Sequence, residues 1–133
     1  MNNISLAIDA ATKAGFTGEQ LIIAVSVSGA ESDFNPNKQG DQSLRNVSQA
    51  LCGGLWENSV GLWQIRSLQH PSQCGFPDNM RDAVKLLDPY YNRNAAYAIS
   101  KNGTDFSPWS TYQQGDYLRF VSEVKNAIAS NNG

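Results

Sequence analysis

The spacing of apolar residues predicts helices over most of the chain. In the first fifteen residues they recur every three or four positions, which predicts a helix capped by Asn2 or Asn3 and stopped by Gly15. A second helix is predicted to start at Thr17, the first residue of a capping-box pattern, and to end before the stretch Phe34-Asn35-Pro36. The fold is therefore expected to be mainly α.

Helices are also predicted in the second half of the chain. Asp88-Pro89 is typical of a cap followed by proline at the first helical position, so a helix is expected from there to about Ser100. A helix before it would be capped by Asp78, and a last helix would start near Gly115 or Asp116. The side chains expected to face inward from these two helices are Ala83, Val84 and Leu87 in the first, and Leu118, Val121, Val124 and Ile128 in the last.

The segment from Asn35 to about Pro77 interrupts this helical pattern. It is rich in Gly, Asn, Gln and Ser, which predicts a loop-rich insert. A short helix is expected over Ser43 to Leu51, and a short extended β element over Val60 to Ile65 that enters the core. Because binding and catalytic groups concentrate on loops held by a rigid scaffold, the functional site is expected here.

Composition limits the function classes. The 133 residues, 41% of them hydrophobic, suit one domain spanning 1–133 with a core of its own. The 10 basic and 12 acidic residues give a net charge of −2 without a basic cluster, which argues against a nucleic-acid or anionic-membrane partner. The longest apolar run is too short for a membrane span, and the N-terminus has no secretory signal. A neutral, polar ligand fits best.

Glu31 is the first candidate for chemistry. Counting on along the apolar face of the second helix leads to Glu31 or Ser32, at the border of the polar segment. Partial burial there would raise the pKa of the Glu31 carboxyl, which suits a general acid near neutral pH. Further on, Gln64 sits among apolar neighbours, where an amide needs a partner, and Gly61 allows close backbone approach.

Metal sites have little support in the sequence. Asp33, Asn35 and Asn37 have the first spacings of a calcium loop, but the required glycine and the final glutamate are missing. Cys52, His70 and Cys74 lack a fourth zinc ligand, so neither a metal nor another cofactor is expected. Cys52 and Cys74 could form one disulfide.

Several motifs in order resemble those of lytic transglycosylases, in particular the lysozyme-like domains of phage tail and virion-associated proteins. The resemblance covers roughly residues 20 to 120. The motifs are Gly29-Ala30-Glu31-Ser32 with Phe34-Asn35-Pro36, Asn58-Ser59-Val60-Gly61-Leu62-Trp63-Gln64-Ile65, Asp88-Pro89-Tyr90-Tyr91-Asn92 with Ala95-Ala96-Tyr97, and Pro108-Trp109-Ser110-Thr111-Tyr112.

The resemblance implies a lysozyme-like fold and cleavage of the bond between MurNAc and GlcNAc in peptidoglycan. Glu31 matches the catalytic acid of that family, and a transglycosylase product would carry a 1,6-anhydro ring. Trp109 is expected to pack in the core, and delivery by a virion, with this chain as part of a larger tail protein, is expected in place of secretion. The residues expected to bind substrate are Ser59 beside Glu31, Gln64 on the groove floor, Tyr112 at the cleft, Trp63 in the core or groove wall, and the partly structural Asn92.

Two alternatives remain open from the sequence. A hydrolytic muramidase would need a second carboxylate. Glu57 is the preferred auxiliary acid because it leads into the Ser59 motif, with Asp33 and Asp41 as the other candidates. A structural or glycan-binding tail component without catalysis is the other alternative.

Overall fold

The computed structural model describes residues 2–41, 56–68 and 80–132. Short 3-10 helices at Lys85–Leu87 and Asp116–Phe120 precede the α-helices that begin at Pro89 and at Val121. The mainly helical fold with a small β element is confirmed. In chain order the elements are α1 (Asn3–Ala14), α2 (Gly18–Ser32), β1 (Gln39–Gly40), β2 (Trp56–Val60), β3 (Ile65–Leu68), α3 (Pro89–Ile99), α4 (Ser110–Gln113) and α5 (Val121–Asn132).

The first two helices follow the predicted pattern, with one difference at a cap. The Asn2 side chain accepts a hydrogen bond from the Ser5 amide at 2.9 Å, and Gly15 ends α1 with φ +121°. Thr17 stands at the N-cap of α2, but its side chain makes no capping hydrogen bond, so the predicted capping box does not form. The helix ends at Ser32 because the next residue adopts a left-handed conformation.

The three strands form one antiparallel sheet in the order β1-β2-β3. Gly40 pairs with Ser59, and Val60 pairs with Ile65. The prediction of one extended piece over Val60 to Ile65 is therefore wrong, because the chain reverses direction between these two residues. Gly61, with φ +82°, makes the sharp bend that a non-glycine residue could adopt only with strain.

The C-terminal half combines confirmed and incorrect predictions. Asp88 caps α3 by accepting a hydrogen bond from the Tyr90 amide at 2.9 Å, as expected. The helix predicted before it is only a 3-10 turn within the described residues, and Val84 is 77% exposed. The last helix does bury Val124, but Leu118 lies in the preceding 3-10 helix and is 61% exposed. The predicted Asp78 cap and the Ser43–Leu51 helix lie outside the described residues.

The core surrounds α2 and reaches the turn between β2 and β3. The Ser32 hydroxyl donates to the Leu62 carbonyl at 2.8 Å, and the Trp63 indole N–H donates to the Ala24 carbonyl at 2.8 Å. These bonds hold the middle and the C-terminal end of α2 against that turn. In the ranges that the structure describes, no helix has the length and apolar character to cross a bilayer.

Candidate active site

Glu31 lies in the last turn of α2, where the helix meets the sheet. The turn ends at Asp33, whose backbone is left-handed (φ +54°) and whose amide donates to the Gly29 carbonyl at 2.8 Å. Glu31 is half-buried. Burial is the main reason that its pKa is raised above the ordinary value, because the charged form loses hydration. The predicted environment of Glu31 is therefore present.

The groups around Glu31 act on its pKa in both directions. The Thr111 hydroxyl donates to Oε2 of Glu31 at 2.7 Å, and this bond and the positive charge of Lys38 lower the pKa. The negative charges of Asp41 and Asp116 raise it. The balance leaves the pKa of Glu31 raised, with its carboxyl held in a fixed orientation by the α4 hydroxyl.

Thr111 was not singled out from the sequence. It lies in the Pro108–Tyr112 motif, in which Tyr112 was the residue predicted to reach the cleft. A hydroxyl directly before Tyr112 could have suggested a second polar group at the cleft. Its distance of 80 positions from Glu31 made the hydrogen bond unpredictable without the fold.

Ser59 contributes to the site through Asp41. The Ser59 side chain lies at the end of β2, only 3% exposed, and its hydroxyl donates to Oδ2 of Asp41 at 2.5 Å. Asp41 follows β1 and is itself exposed. Ser59 therefore contacts Asp41, whose charge acts on the pKa of Glu31, and the expected position of Ser59 beside Glu31 stays a prediction.

Gln64 joins the hairpin turn to β1. Its side-chain N–H₂ donates to the carbonyls of Lys38 and Gly61, both at 3.0 Å. A Cβ at Gly40 would lie 2.5 Å from Oε1 of Gln64, so a larger residue there would displace this amide. The amide partner that the sequence required is thus the backbone. Lys38 in turn donates from Nζ to the Glu31 carbonyl at 2.8 Å, which connects this loop to the acid.

Trp63 and Asn92 lie beneath the site, where burial places Trp63 in the core, one of its two expected positions, and agrees with a structural role for Asn92. Trp63 is 1% exposed, with its indole N–H bonded inside the core. The Asn92 amide is fully buried and donates to the Val60 and Leu86 carbonyls at 2.8 and 2.9 Å. Buried groups with satisfied polar atoms act as scaffold.

The structure describes some of the remaining predicted residues, and others lie outside the described ranges. Tyr112 is half-buried and stacks on Tyr117 with ring centroids 4.9 Å apart, next to the residue that bonds Glu31. Trp109 is 6% exposed, which confirms its packing role. Glu57 lies on β2 and is half-buried. The possible disulfide partners Cys52 and Cys74, and also His70, lie outside the described residues.

Two hollows differ in their relation to Glu31. One of about 560 Å³ lies between the start of α2 and the apolar side of α5, at the opposite end of α2 from the acid. The other, of about 380 Å³ and here called the polar hollow, borders the last turn of α2. The residues that line the polar hollow are Gly29, Ala30, Asp33, Lys38, Asp116, Arg119 and Phe120. Glu31 itself lines neither hollow, but the polar hollow contains Lys38 and Asp116, whose charges act on the pKa of Glu31.

No group of three His, Cys, Asp or Glu side chains capable of holding a metal occurs in the described ranges 2–41, 56–68 and 80–132. Among the described side chains, the Glu31 carboxyl is a candidate for proton transfer. Glu31 meets the two physical conditions for a general acid: a raised pKa and a side chain that a hydrogen bond orients.

Comparison with known protein families identifies the family of this chain. The sequence matches the family described as lysozyme-like domain over residues 8–111, which is most of the chain. The chain belongs to the lysozyme-like domain family. No curated protein matches it. Membership in the lysozyme-like family confirms the fold class and assigns the chain broadly to peptidoglycan-degrading glycosidases.

The finer expectations for this lysozyme-like domain are not decided by the family match. The choice between transglycosylase and hydrolase, the catalytic role of Glu31 and delivery by a virion stay predictions. The match covers α2, the sheet and Thr111, so of the groups that act on Glu31 only Asp116 lies beyond the matched lysozyme-like region.

Proposed function

We propose that this protein cleaves the β-1,4 bond between MurNAc and GlcNAc in peptidoglycan as a lytic transglycosylase, with Glu31 as its acid and base. The observation that carries the proposal is the Glu31 carboxyl itself. It is half-buried, its pKa is raised, and the Thr111 hydroxyl fixes one of its oxygens at 2.7 Å. A raised pKa increases the fraction of the carboxyl that carries a proton at a given pH, and this proton can be donated to a glycosidic oxygen.

The reaction needs one proton to move in each direction. Glu31 donates its proton to the glycosidic oxygen as the bond from this oxygen to C1 of MurNAc breaks. The acetamido oxygen of the same sugar then attacks C1, which gives a bicyclic cation. The Glu31 carboxylate takes the proton from the C6 hydroxyl of this sugar as that oxygen attacks C1, which closes the 1,6-anhydro ring.

Thr111 and burial favour opposite charge states of Glu31 in this cycle. The Thr111 hydroxyl donates to the Glu31 carboxylate and so stabilises the charged state formed after the first proton transfer. Burial favours the neutral state that begins the cycle. Because the two effects oppose each other, Glu31 can serve first as an acid and then as a base.

Hydrolysis by a muramidase is the second candidate, and one observation favours it. Asp41 is a second carboxylate whose charge acts on Glu31 and whose position is fixed by Ser59. In glycosidases that use two carboxylates, the second one activates water or attacks the sugar. The two candidates give different products from the same bond.

Mass spectrometry of fragments released from purified peptidoglycan tests both candidates. The wild-type protein is expected to release fragments with an anhydro ring, about one water lighter than reducing-end fragments, and Glu31→Gln is expected to release none. Reducing-end fragments would replace the transglycosylase with the muramidase. If no fragments are released, or if Glu31→Gln is as active as wild type, the proposal is wrong.

A further inference from the structure

The polar hollow brings four charged side chains together beside the last turn of α2. Asp33 and Lys38 come from the end of α2 and the loop that follows it. Asp116 and Arg119 come from the 3-10 helix that precedes α5. Each wall of the hollow therefore carries one carboxylate and one cation, and both signs of charge face the same space of about 380 Å³.

These four charges do not neutralise one another through ion pairs. In the part of the chain that the structure describes, neither Asp33 nor Asp116 forms an ion pair with the cations of the hollow. The Lys38 ammonium donates to the backbone carbonyl of Glu31 at 2.8 Å, which uses one of its three N–H donors. The Arg119 guanidinium has five such donors. The hollow thus offers carboxylates and cations to a ligand that carries both charges.

The floor of the polar hollow is closely packed. Gly29 lets α2 approach the 3-10 helix, since a Cβ there would lie 2.6 Å from the Phe120 ring and 2.7 Å from the Phe34 ring. The two rings meet edge-on with centroids 5.7 Å apart, and Phe34 is 5% exposed. The Arg119 guanidinium lies 5.6 Å from the centroid of the Phe120 ring. The charged side chains therefore surround a packed aromatic floor.

A ligand in the polar hollow would lie beside the proposed acid. The charges of Lys38 and Asp116 act on the Glu31 carboxyl, and Lys38 also bonds the Glu31 backbone. The sugars that flank the cleaved bond are uncharged. The charged groups of peptidoglycan belong to the peptide stem on the lactyl group of MurNAc, so charge complementarity favours a peptide stem over a sugar in this hollow.

A peptide stem carries carboxylates, and its diamino acid carries an ammonium group until cross-linking converts the amine into an amide. We propose that the polar hollow binds the peptide stem of the strand being cut and selects stems whose diamino-acid amine is free. The ammonium is held by Asp33 and Asp116, and a neighbouring stem carboxylate is held by Lys38 and Arg119. The inference rests on the proposed function, since it names the substrate class of the same site.

Binding of a stem peptide without sugar tests the hollow independently of catalysis. The probe is N-acetyl-L-alanyl-D-isoglutamyl-meso-diaminopimelate, whose far end carries an ammonium beside a carboxylate. Calorimetry compares it with the same peptide acetylated on that amine. Acetylation is expected to weaken binding to the wild-type protein by about 3- to 5-fold, as for loss of one exposed ion pair, and added salt should reduce the difference.

The variant Asp33→Asn removes one carboxylate with little change in shape. Asparagine tolerates the left-handed backbone of this position, which has φ +54°. The variant should weaken binding of the free-amine peptide by about 3- to 5-fold and that of the acetylated peptide by less than about 2-fold. Asp116→Asn is the second variant, and the double variant should bind the two peptides equally because both acceptors of the ammonium are then neutral.

Arg119→Gln tests the other half of the hollow. It should weaken binding of both peptides by about 3- to 5-fold, because both keep the carboxylate. Lys125→Gln is the matched control, since it removes the same charge from an exposed position of α5 that lines the other hollow. This control should bind both peptides like the wild type.

Cleavage assays test the substrate class. Un-cross-linked strands are compared with the same strands after an amidase has removed their stems. We expect the wild type to prefer the peptide-bearing strands by about 10-fold in kcat/KM, mainly through KM, because the stem contacts are made before and during the reaction. Arg119→Gln should reduce this preference to about 2-fold, and Lys125→Gln should keep it.

The outcomes separate this inference from the proposed function. If the wild type binds the free-amine and acetylated peptides equally, or if Lys125→Gln weakens binding as much as Arg119→Gln does, the stem site is wrong, while release of anhydro fragments would still support the proposed function. Equal cleavage of stripped and peptide-bearing strands would overturn the selection of stems. A protein that binds the probe with the expected losses but releases no fragments would support the stem site and refute the proposed function.

Discussion

Asn92→Ala is expected to destabilise the fold more than any surface substitution, because its amide fills a buried polar site below the hairpin turn. The side chain is completely buried. Its Nδ2 donates to the Val60 and Leu86 carbonyls at 2.8 and 2.9 Å, and its Oδ1 accepts from the Trp63 amide at 3.2 Å. Truncation to alanine removes all three of these hydrogen bonds to backbone groups.

The magnitude follows from these three bonds. Each hydrogen bond contributes about 1 kcal/mol net, and a buried group left without a partner costs about 1 to 3 kcal/mol. Entry of water into the vacated space would offset part of that cost. We therefore expect Asn92→Ala to lower the free energy of unfolding by about 3 to 5 kcal/mol, a large part of the 5 to 15 kcal/mol typical of a domain.

Urea denaturation followed by tryptophan fluorescence measures this loss, since Trp63 lies against the same turn. Asn94→Ala is the matched control, because Asn94 is on the same helix but exposed, and it should change the stability by no more than about 0.5 kcal/mol. If the two variants lose equal stability, or if Asn92→Ala loses less than about 1 kcal/mol, the scaffold role assigned to Asn92 is wrong.

Three further predictions concern stability and pH dependence. Gly61→Ala should destabilise by about 2 to 4 kcal/mol in urea unfolding, because its Cβ would lie 2.6 Å from the Leu86 carbonyl at a backbone φ of +82°. Thr111→Val should move the alkaline limb of kcat/KM to higher pH, because it removes the bond that lowers the pKa of Glu31. Asp9→Asn should reduce the fall in the free energy of unfolding at acid pH. The hydrogen bond from Tyr90 lowers the pKa of Asp9 below its ordinary 3.8, and the wild type loses this stabilisation as the pH falls below that value.

Each of these predictions has a control of the same chemistry. Gly18→Ala, at a position with φ +55° and open space around it, should lose less stability than Gly61→Ala. Thr104→Val removes a hydroxyl bonded to the Lys101 carbonyl on the surface and should leave the pH limb in place. Glu123→Gln removes an exposed carboxyl on α5 and should change the acid profile less than Asp9→Asn does. A control that matches its partner variant would contradict the corresponding prediction.

The sequence predicted best those elements that depend on local signals. The Asn2 cap, the Gly15 stop and the Asp88-Pro89 start of α3 are short-range features, and all three are confirmed. The reversal between Val60 and Ile65 was missed, because the apolar side chains of a tight turn buried in a core read as a strand. Whether such an apolar segment forms a strand or a buried turn depends on its packing against distant elements, which periodicity does not show.

The site shows the same division between local and long-range information. Glu31 was predicted because a helix face and its end can be counted along the sequence. Thr111 and Asp41 were harder to place, because their contacts to Glu31 and Ser59 join residues 80 and 18 positions apart. The 61% exposure of Leu118 has a similar cause, since a 3-10 helix presents a different face to the core than the predicted α-helix.

The central claim is that Glu31 is the proton donor of the reaction. The most direct measurement compares the titration of the Glu31 carboxyl, followed by carbon-13 NMR and assigned with Glu31→Gln, with the alkaline limb of kcat/KM on purified peptidoglycan. The account predicts that both give the same pKa and that it lies above the ordinary value for glutamate. A Glu31 carboxyl that titrates as an ordinary exposed glutamate, or a pH limb unrelated to its titration, would contradict the claim.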